Sequence, residues 1–462
     1  MREVLLQEAE HGGEDVSPSV AEAKHSFYYG WVIVVTSFVV LGLISLVISS
    51  FALFYVPVLQ SFNWSRGRLA LSMSIYLVSS GIAAPFAGGL IDRFGPRRVM
   101  PLGAFVTGCA LLFLSRATAL WHFYFAFGVV AALGSSMLYV VPVTTIVSNW
   151  FARHRGTAIG IVTASPGTSQ LLLLPLLQLL INWIGWRSAY LILGTVLLVV
   201  PTILTRLFLY GRPSDRGLSV EDETQLGKQK WGGSAHAEKH AKTKRQTEVI
   251  VMDKQWADTE WTIGKAICTF RFWALSLVMG MFTVGFFLIS IQLVAYMTDK
   301  GYSSIVAASV IGLQGFVNIL GTLLGGVVGD RWGREKTLTL SIAIFIACIV
   351  LLNLGGWIIN PLIIYAFAVV YGIGFGMAFP TLMASAADLF QGKHFGSILG
   401  WIALGGYLGA ALGSWLSGYL FDLTHSYRLN FLVAALVMFI SAALIWKARP
   451  GQVRVIRTVN ST

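Results

Sequence analysis

The sequence contains little charge. Of its 462 residues, 12% are Asp, Glu, Lys or Arg and 56% are hydrophobic, with a mean hydropathy of +0.72. A soluble chain of this length needs more charge to cover its surface, so the composition indicates a membrane protein. Cysteine is scarce as well, and the unrelated spacing of Cys109, Cys268 and Cys348 argues against a disulfide framework or a metal site. No cleavable apolar run precedes Tyr28, so no signal peptide is expected.

Twelve apolar runs are long enough to cross a bilayer, since one spanning helix needs about 20 residues. The alternating pattern of a membrane β-barrel is missing. The predicted fold is therefore an all-α polytopic membrane protein with twelve transmembrane helices. We number these runs span 1 to span 12, and they cover roughly residues 30–60, 69–92, 99–116, 121–149, 156–182, 187–209, 272–297, 303–329, 337–357, 361–388, 396–422 and 429–447.

The basic residues predict the orientation. With the N-terminus placed in the cytoplasm, 27 of the 33 Lys and Arg residues fall on cytoplasmic segments. Cytoplasmic loops carry such an excess, so both termini and the polar segment 211–262 are expected in the cytoplasm of a plasma-membrane protein. The net charge of +12 then reflects topology, and no nucleic-acid partner is expected. The segment 211–262 is predicted to be a flexible linker, and His236 and His240 in it have no cluster that would favour a metal.

The chain repeats itself. "GGLIDRFGPRR" begins at Gly88 and "GVVGDRWGREK" begins at Gly326, 238 residues later. Pro142 and Pro380 share that offset, while "RGTAIG" at 155 and "FGSILG" at 395 are 240 apart. Six helices are thus followed by six related helices in parallel. Two pseudo-symmetric six-helix halves suggest a transporter whose site lies between them near the middle of the membrane.

The doubled loop word has a physical interpretation as a gate. The glycines permit a tight turn, and the carboxylates can accept hydrogen bonds from a helix N-terminus in the opposite half. The arginines stay in the headgroup region. The predicted gating residues are Asp92, Arg93, Gly95, Asp330, Arg331 and Gly333. The alternative is that these residues only set the topology of the chain.

These features together resemble the major facilitator superfamily, for which the doubled loop word is the most specific sequence mark. The resemblance covers the chain outside the N-terminal tail and the central loop, and it implies the major facilitator fold. We divide the chain into a cytoplasmic tail (1–27), an N-terminal half (28–210), a linker (211–262), a C-terminal half (263–447) and a cytoplasmic C-terminal tail (448–462).

Several phrases are similar to the monocarboxylate transporter and oxalate–formate exchanger group, namely "YYGWVIV", "FNWSRGRLA", "NWFARHRGTAIG", "GWRSAY" and "RPSDRGL". That group places a carboxylate-binding arginine in span 8, and exchangers of doubly charged substrates keep a lysine in span 11. Here Asn318 is present, but Thr322 occupies the arginine's place, and span 11 has no lysine. His122, near the end of span 4, is the one ionisable residue well inside a span, and it is interpreted as an interfacial residue rather than a proton relay.

The resemblance therefore implies a neutral, partly aromatic substrate site. Its predicted members are Tyr139, Asn318, Thr322, Tyr371 and Phe375, and weaker candidates are Gln292, Gln314 and Trp401. The alternative is that these side chains only pack between helices. Pro166 and Gly167 in span 5 predict either a gating hinge or a static bend.

The expected function is secondary active or facilitative transport of a small organic substrate by alternating access. A monocarboxylate held by neutral donors and a neutral or amphipathic compound both stay open, as does a non-transporting sensor. Proton coupling, symport, antiport and uniport are not distinguished. No nucleotide-binding loop and no catalytic His or carboxylate pair is present, so neither a cofactor nor enzymatic activity is expected. The expected partners are the substrate and membrane lipids, and the expected functional unit is a monomer.

Overall fold

The computed structural model describes residues 29–151, 155–211, 213, 246–257, 259–390 and 395–459. The predicted N-terminal tail lies outside these residues, as do His236 and His240. The N-terminal half consists of α1 (Gly30–Ser49), α2 (Phe51–Phe62), α3 (Arg66–Phe94), α4 (Pro96–Leu114), α5 (Leu120–His122), a π-helix (Phe123–Ala131), α6 (Ala132–Ser136), α7 (Val140–Trp150), α8 (Arg155–Thr163) and α9 (Ser165–Phe208).

The C-terminal half and the segments that flank it follow the same plan. Their elements are β1 (Gln246–Val251), α10 (Lys254–Ala257), α11 (Ile263–Ile267), α12 (Phe270–Ser290), α13 (Leu293–Asp299), α14 (Ser304–Trp332), α15 (Arg334–Trp357), α16 (Pro361–Phe390), α17 (Phe395–Thr424), α18 (Arg428–Ala448), a 3₁₀ turn (Pro450–Gln452) and β2 (Arg454–Val459).

The helices account for all twelve predicted spans. Ten helical runs are long and apolar enough to cross a membrane. One of them, Ala158–Phe208, contains spans 5 and 6, which meet at Gly185, where φ is +80°. Span 4 is the predicted span that is not among these ten runs. It is interrupted, so its apolar part Leu120–Ser136 is shorter than a full span. Residues 29–62 form α1 and α2, which together make up span 1.

Span 4 is irregular along most of its length. After the short α5 it continues as a π-helix, which is rare and found frequently at functional sites. After α6 the helix stops, and Tyr139 adopts an extended backbone before α7 begins. His122 lies at the start of this span, where its Nδ1 accepts a hydrogen bond from the amide of Thr118 at 3.1 Å. That contact caps the chain locally, as an interfacial histidine would.

The repeat extends to the helix caps and turns. Ser65 Oγ accepts from the amide of Arg68 at the start of α3, and Ser303 Oγ accepts from Val306 at the start of α14. Both serines have the extended backbone that an N-cap requires. The turns that end α3 and α14 are made by two glycines with positive φ, Gly95 at +76° and Gly333 at +90°.

Each half has its own aromatic core. Phe54 stacks on Tyr190 in the N-terminal half, with ring centroids 3.7 Å apart. In the C-terminal half, Tyr371 packs between Phe345 and Phe367. Large apolar side chains also cover the outside of the bundle, and Trp183 is 86% exposed. A helix that is apolar all round is typical of a membrane span.

Two ends of the bundle can be distinguished. We call the end with Gly95 and Gly333 the tail end, because the C-terminal segment lies there and the amide of Gly451 donates to Glu335. The opposite end, with Gly185 and Gly301, is the far end. The sequence predicts a flexible linker over 211–262, but its last part is folded at the tail end. There β1 pairs antiparallel with β2, and Gln246 lies opposite Val459.

An aromatic contact holds the end of the linker on the C-terminal half. Trp256 donates from Nε1 to the carbonyl of Leu389 at 2.8 Å, and its ring lies 4.4 Å from that of Trp261. The guanidinium carbon of Arg271 lies over the Trp256 ring, 4.1 Å from its centroid. Thr262 caps α11 by accepting a hydrogen bond from the amide of Lys265.

We expect Trp256→Ala to release this segment, because it removes a hydrogen bond and the ring contacts with Trp261, Phe390 and Arg271. Amide hydrogen exchange in residues 246–257, measured by mass spectrometry, should become about tenfold faster or more. Trp183→Ala is the matched control, since that side chain is exposed. Unchanged exchange in Trp256→Ala would show that the segment is held by other contacts.

Candidate functional site

The two halves meet through a carboxylate that caps a helix. Asp422, at the end of α17, accepts hydrogen bonds from the first two amides of α3, with 2.9 Å from Arg66 N to Oδ1 and 2.7 Å from Gly67 N to Oδ2. The close approach depends on Gly418, since a Cβ there would lie 2.7 Å from the Arg66 carbonyl. The dipole at a helix N-terminus favours a negative charge, so this contact stabilises closure of the far end.

The Arg66 side chain adds an ion pair across the same boundary. Its Nη2 lies 2.8 Å from Asp299 Oδ2, and its Nη1 donates to Gln292 Oε1 at 3.1 Å and to the Tyr427 hydroxyl. Tyr427 in turn donates to Asp299 at 2.6 Å, and burial raises the pKa of this phenol. The guanidinium also lies 3.8 Å from the Phe421 ring centroid. We call this α3–α17 contact, with Arg66 and Asp422, the charged seam.

A second contact between the halves is uncharged. Asn182 lies in α9 just before Gly185, at the far end of the bundle. It donates from Nδ2 to the Ser304 hydroxyl at the start of α14, at 3.0 Å. Further along, a side chain at Gly167 would overlap the carbonyl oxygen of Gly315, so α9 and α14 touch backbone to backbone. We call this contact the neutral seam. Gly167 thus lies at a packed crossing just after the break between α8 and α9.

The two seams are related by the internal repeat. Arg66 and Ser304 are 238 residues apart, and Asn182 and Asp422 are 240 apart, which are the offsets of the repeated words. Both seams therefore place a polar side chain from the end of one helix against the N-terminus of a helix in the other half. The repeat keeps the geometry and changes the charge.

Spans 2, 5, 8 and 11, which form the two seams, are not packed at the tail end. Four glycines there have no atom within 4 Å of the place where a Cβ would be, namely Gly89 on α3, Gly160 on α8, Gly326 on α14 and Gly400 on α17. The far-end glycines of these helices are in close contact with the opposite half. The described helices are thus joined at the far end and apart at the tail end.

The predicted gating residues lie around this open end. Asp330 accepts from Arg334 Nη1 at 2.9 Å, and Arg334 also bonds Asp388 at 3.0 Å, so all three belong to one half. Arg93 and Arg331 are exposed. The Asp92 side chain lies outside the described part of the structure. A cleft of 630 Å³ passes between the Asp330 loop and the C-terminal segment.

Two predicted substrate residues are brought together on α14. Thr322 donates from Oγ1 to the Asn318 carbonyl at 3.0 Å and lies 3.3 Å from Asn318 Oδ1. Thr322 is exposed and Asn318 is half-buried. The pair presents neutral hydrogen-bonding groups at the position where the resemblance implies an arginine.

The two predicted residues on α16 face the core of the C-terminal half. Tyr371 is 0% exposed and donates to the Phe286 carbonyl at 3.2 Å. Phe375 is half-buried, and its ring lies 4.1 Å from that of Phe286. The Phe375 side chain is therefore more accessible than that of Tyr371.

The remaining candidates are dispersed. Tyr139 is half-buried at the break in span 4. Gln292 belongs to the charged seam, where it also donates to the Ser417 carbonyl. Gln314 is buried with no hydrogen bond to its Oε1 among the described residues, and Trp401 is exposed. No group of three metal-ligating side chains occurs in the described ranges.

The comparison with known families decides the identity of the fold. The family model described as "Major Facilitator Superfamily" matches residues 37–386 and 275–460. The chain belongs to the Major Facilitator Superfamily. It is accordingly a multi-pass membrane protein of a family of transporters rather than enzymes, as the sequence predicts.

Superfamily relatives are similar along nearly the whole chain. The uncharacterized MFS-type transporter YcxA of Bacillus subtilis (strain 168) is 27% identical over 87% of this chain and 90% of its own. Monocarboxylate transporter 13 of Rattus norvegicus is 24% identical over 90% of this chain and 88% of its own. Monocarboxylate transporter 2 of Homo sapiens is also 24% identical, over 90% and 84%. The predicted similarity to this group is confirmed.

Solved superfamily structures share the fold. A bacterial homolog to the human lysosomal transporter Spinster, inward-facing and occupied, has a TM-score of 0.68 at 15% identity, covering 92% of this chain and 97% of that one. The xylose transporter XylE from E. coli, partially occluded and inward open, has a TM-score of 0.62 at 15% identity, covering 91% and 99%.

We expect Asp422→Asn to weaken far-end closure in this superfamily member. The variant removes the charge on the α3 N-terminus, a loss of about 1–2 kcal/mol, or up to about thirtyfold in the equilibrium between closed and open states. Labelling of a cysteine introduced at Ser74, which is buried in the charged seam, should become correspondingly faster. Asp253→Asn is the control, because Asp253 pairs only within the C-terminal side. If the cysteine at position 74 is labelled equally fast with and without Asp422→Asn, the capping role is contradicted.

Proposed function

We propose that this superfamily member transports a small organic substrate, a monocarboxylate, by alternating access. The observation that carries the proposal is that spans 2, 5, 8 and 11 touch at the far end and separate at the tail end. A site between the halves is then reached from one side only. A rocking movement that opens the seams and closes the tail end would expose it to the other side.

The tail end is proposed to face the cytoplasm, which makes the described conformation inward-facing. The support is the excess of Lys and Arg on the tail-end segments, because cytoplasmic loops carry such an excess. The two solved structures above are also described as inward-facing or inward open. In this orientation the charged seam lies on the outside.

A reporter fused after Thr462 is expected to read out in the cytoplasm, as is one inserted in the 211–262 segment. The matched control is an insertion between Asn63 and Ser65, which should read out on the other side of the membrane. An external signal from the C-terminal fusion would reverse the assignment of the two ends.

The tail-end gate is proposed to close through Asp92 and Asp330. In the charged seam a carboxylate caps a helix of the opposite half, and the loop word would provide the same chemistry at the other end once the helices approach. Asp330→Asn should then have the opposite sign to Asp422→Asn in the labelling assay, with slower labelling at Ser74. An unaltered labelling rate in Asp330→Asn would favour the purely topogenic role, and faster labelling would contradict the proposed gate.

The monocarboxylate is supported by the relatives, and the neutral compound is supported by the site. Monocarboxylate transporters are similar over most of the chain. However, Thr322 stands where the resemblance implies an arginine, and its partner is the neutral Asn318. A carboxylate bound here relies on hydrogen bonds. A hydrogen bond to a charged group contributes about 1.5–3 kcal/mol. Binding should therefore be weaker than with a fixed cation.

Uptake of radiolabelled pyruvate, lactate and butyrate, and of their neutral amides, into liposomes with and without a pH gradient tests the proposal. The carboxylates are expected to be taken up in preference to the amides, and acceleration by the gradient would indicate proton coupling. Asn318→Ala should raise the half-saturating concentration about tenfold, which is about 1.4 kcal/mol. Asn353→Ala is the control, since Asn353 bonds only its own helix. Uptake of amides alone would favour the neutral substrate class, and a complete lack of uptake would favour the sensor.

Thr322→Arg examines the same position with charge. The variant should shift the preference further toward carboxylates, because a guanidinium beside the cavity can form bidentate hydrogen bonds with them. Thr322→Gln is a long but neutral control and should leave the ratio of carboxylate to amide uptake within about twofold. A folded Thr322→Arg protein with an unaltered ratio would place the substrate elsewhere.

A further inference from the structure

The Arg66 guanidinium lies at the far end and has its partners in the opposite half. Its Nη2 contacts Asp299 at the end of α13, and its Nη1 donates to Gln292 and Tyr427, which directly precede α13 and α18. The Phe421 ring on α17 lies 3.8 Å from the guanidinium carbon. Arg66 itself begins α3, in the N-terminal half. A movement that opens the charged seam therefore takes all of these groups away from the cation.

The ion pair is separate from the contact that caps α3. Asp422 accepts from the backbone amides of Arg66 and Gly67, whereas the guanidinium bonds Asp299. The Asp299 side chain is 43% exposed and that of Arg66 is 20% exposed. An ion pair that is partly in contact with water contributes little to stability. The closed far end thus depends more on the cap than on the Arg66 side chain.

The internal repeat shows that the fold can close an end without this ion pair. Ser61 is equivalent to Asp299 at the 238-residue offset, and Trp186 is equivalent to Tyr427 at 241 residues, the offset between "GWRSAY" and "SYRLNF". The hydrogen bond is kept, since Trp186 Nε1 donates to Ser61 Oγ at 2.9 Å as the Tyr427 hydroxyl donates to Asp299 at 2.6 Å. The place of the guanidinium is taken by Ser304, so all three equivalent side chains are neutral.

Asp299 shows how a carboxylate fits against the guanidinium. Its Oδ2 lies 2.8 Å from Arg66 Nη2 and accepts from the Tyr427 hydroxyl. A guanidinium binds carboxylates in a planar, often bidentate geometry and keeps its charge in proteins. Thr322, in contrast, stands where the resemblance implies a carboxylate-binding arginine. The charged seam therefore contains a carboxylate site of the kind that is missing there, and a side chain of the protein itself occupies it.

We propose that Arg66 is the first residue to bind the carboxylate of the substrate when the far end opens, with Asp299 as its internal competitor. The inference rests on the proposed transport function and adds an entry site to Asn318 and Thr322. Opening of the seam leaves the guanidinium without its anion, and a partly buried charge that loses its partner is unfavourable. The substrate carboxylate replaces the lost partner. When the substrate moves on, Asp299 returns to the guanidinium and the far end closes.

Replacement of Arg66 tests this entry site. In right-side-out vesicles, where the far end faces the medium in the proposed orientation, Arg66→Gln should raise the half-saturating concentration for uptake of pyruvate, lactate or butyrate. The expected rise is about tenfold or more, because a charge-assisted contact is lost. Arg66→Lys keeps the charge without the planar fork and should recover part of the loss. Arg68→Gln is the matched control, since Arg68 is exposed on the first turn of the same helix, and it should stay within about twofold.

Asp299→Asn separates substrate binding from closure of the seam. It breaks the same ion pair but leaves the guanidinium free, so the half-saturating concentration should fall about twofold or more, opposite in sign to Arg66→Gln. For the methyl esters of the same acids, both variants should stay within about threefold, because a contact with an uncharged group contributes less. If both variants changed carboxylate uptake in the same direction, or changed ester uptake equally, the pair would only hold the seam and the inference would be wrong.

The side from which substrate is supplied gives a further test. In inside-out vesicles Arg66→Gln should stay within about twofold, because substrate from the tail end does not pass the charged seam. An equal effect from both sides would contradict the entry site. Wild-type affinity for the carboxylates in Arg66→Gln, supplied from the far end, would also overturn it while leaving the transport function intact. A wild-type protein that takes up none of the carboxylates would overturn the monocarboxylate proposal and this inference together.

Discussion

Backbone amides at the start of a helix have no acceptor within the helix, so another group must supply one. In this protein the first two amides of α3 find theirs on Asp422, in the other half of the molecule. The two halves are therefore joined by a requirement of the backbone as well as by side-chain packing. Arg66 strengthens the contact with an ion pair to Asp299, whereas the space beside Gly89 and Gly400, at the tail ends of α3 and α17, is open.

The internal repeat explains why the molecule can have two seams of one geometry and two chemistries. Ser65 and Ser303 cap equivalent helices, yet Asp422 is matched by Asn182. A charge on only one side makes that seam sensitive to screening by salt, whereas the neutral seam depends on close backbone packing at Gly167. Two copies of a six-helix unit thus supply two contacts at equivalent positions, only one of which is charged.

The sequence was sufficient for features that depend on local patterns. Hydropathy located the spans, and the doubled word located the turns at Gly95 and Gly333, because only glycine accepts that backbone easily. It did not predict the contacts of Arg66 with Asp299 and Asp422, which depend on how two distant halves pack. The ring of Tyr407 lies against Gly81 in the opposite half, and nothing in the local sequence signals that contact either. The break at Tyr139 lies inside an apolar run. It was not predicted because hydropathy carries no information on backbone geometry.

The pairing of β1 with β2 has a consequence for how the chain is connected. Gln246 and Val459 are neighbours in one small sheet. The segment that precedes the C-terminal half and the segment that follows it therefore lie side by side. Ends that lie close together are what circular permutation and fragment complementation require. The C-terminal half is thus a closed unit in topological terms. A chain divided between the halves, upstream of Gln246, would keep every described contact of that unit and leave the two seams to reassemble the transporter.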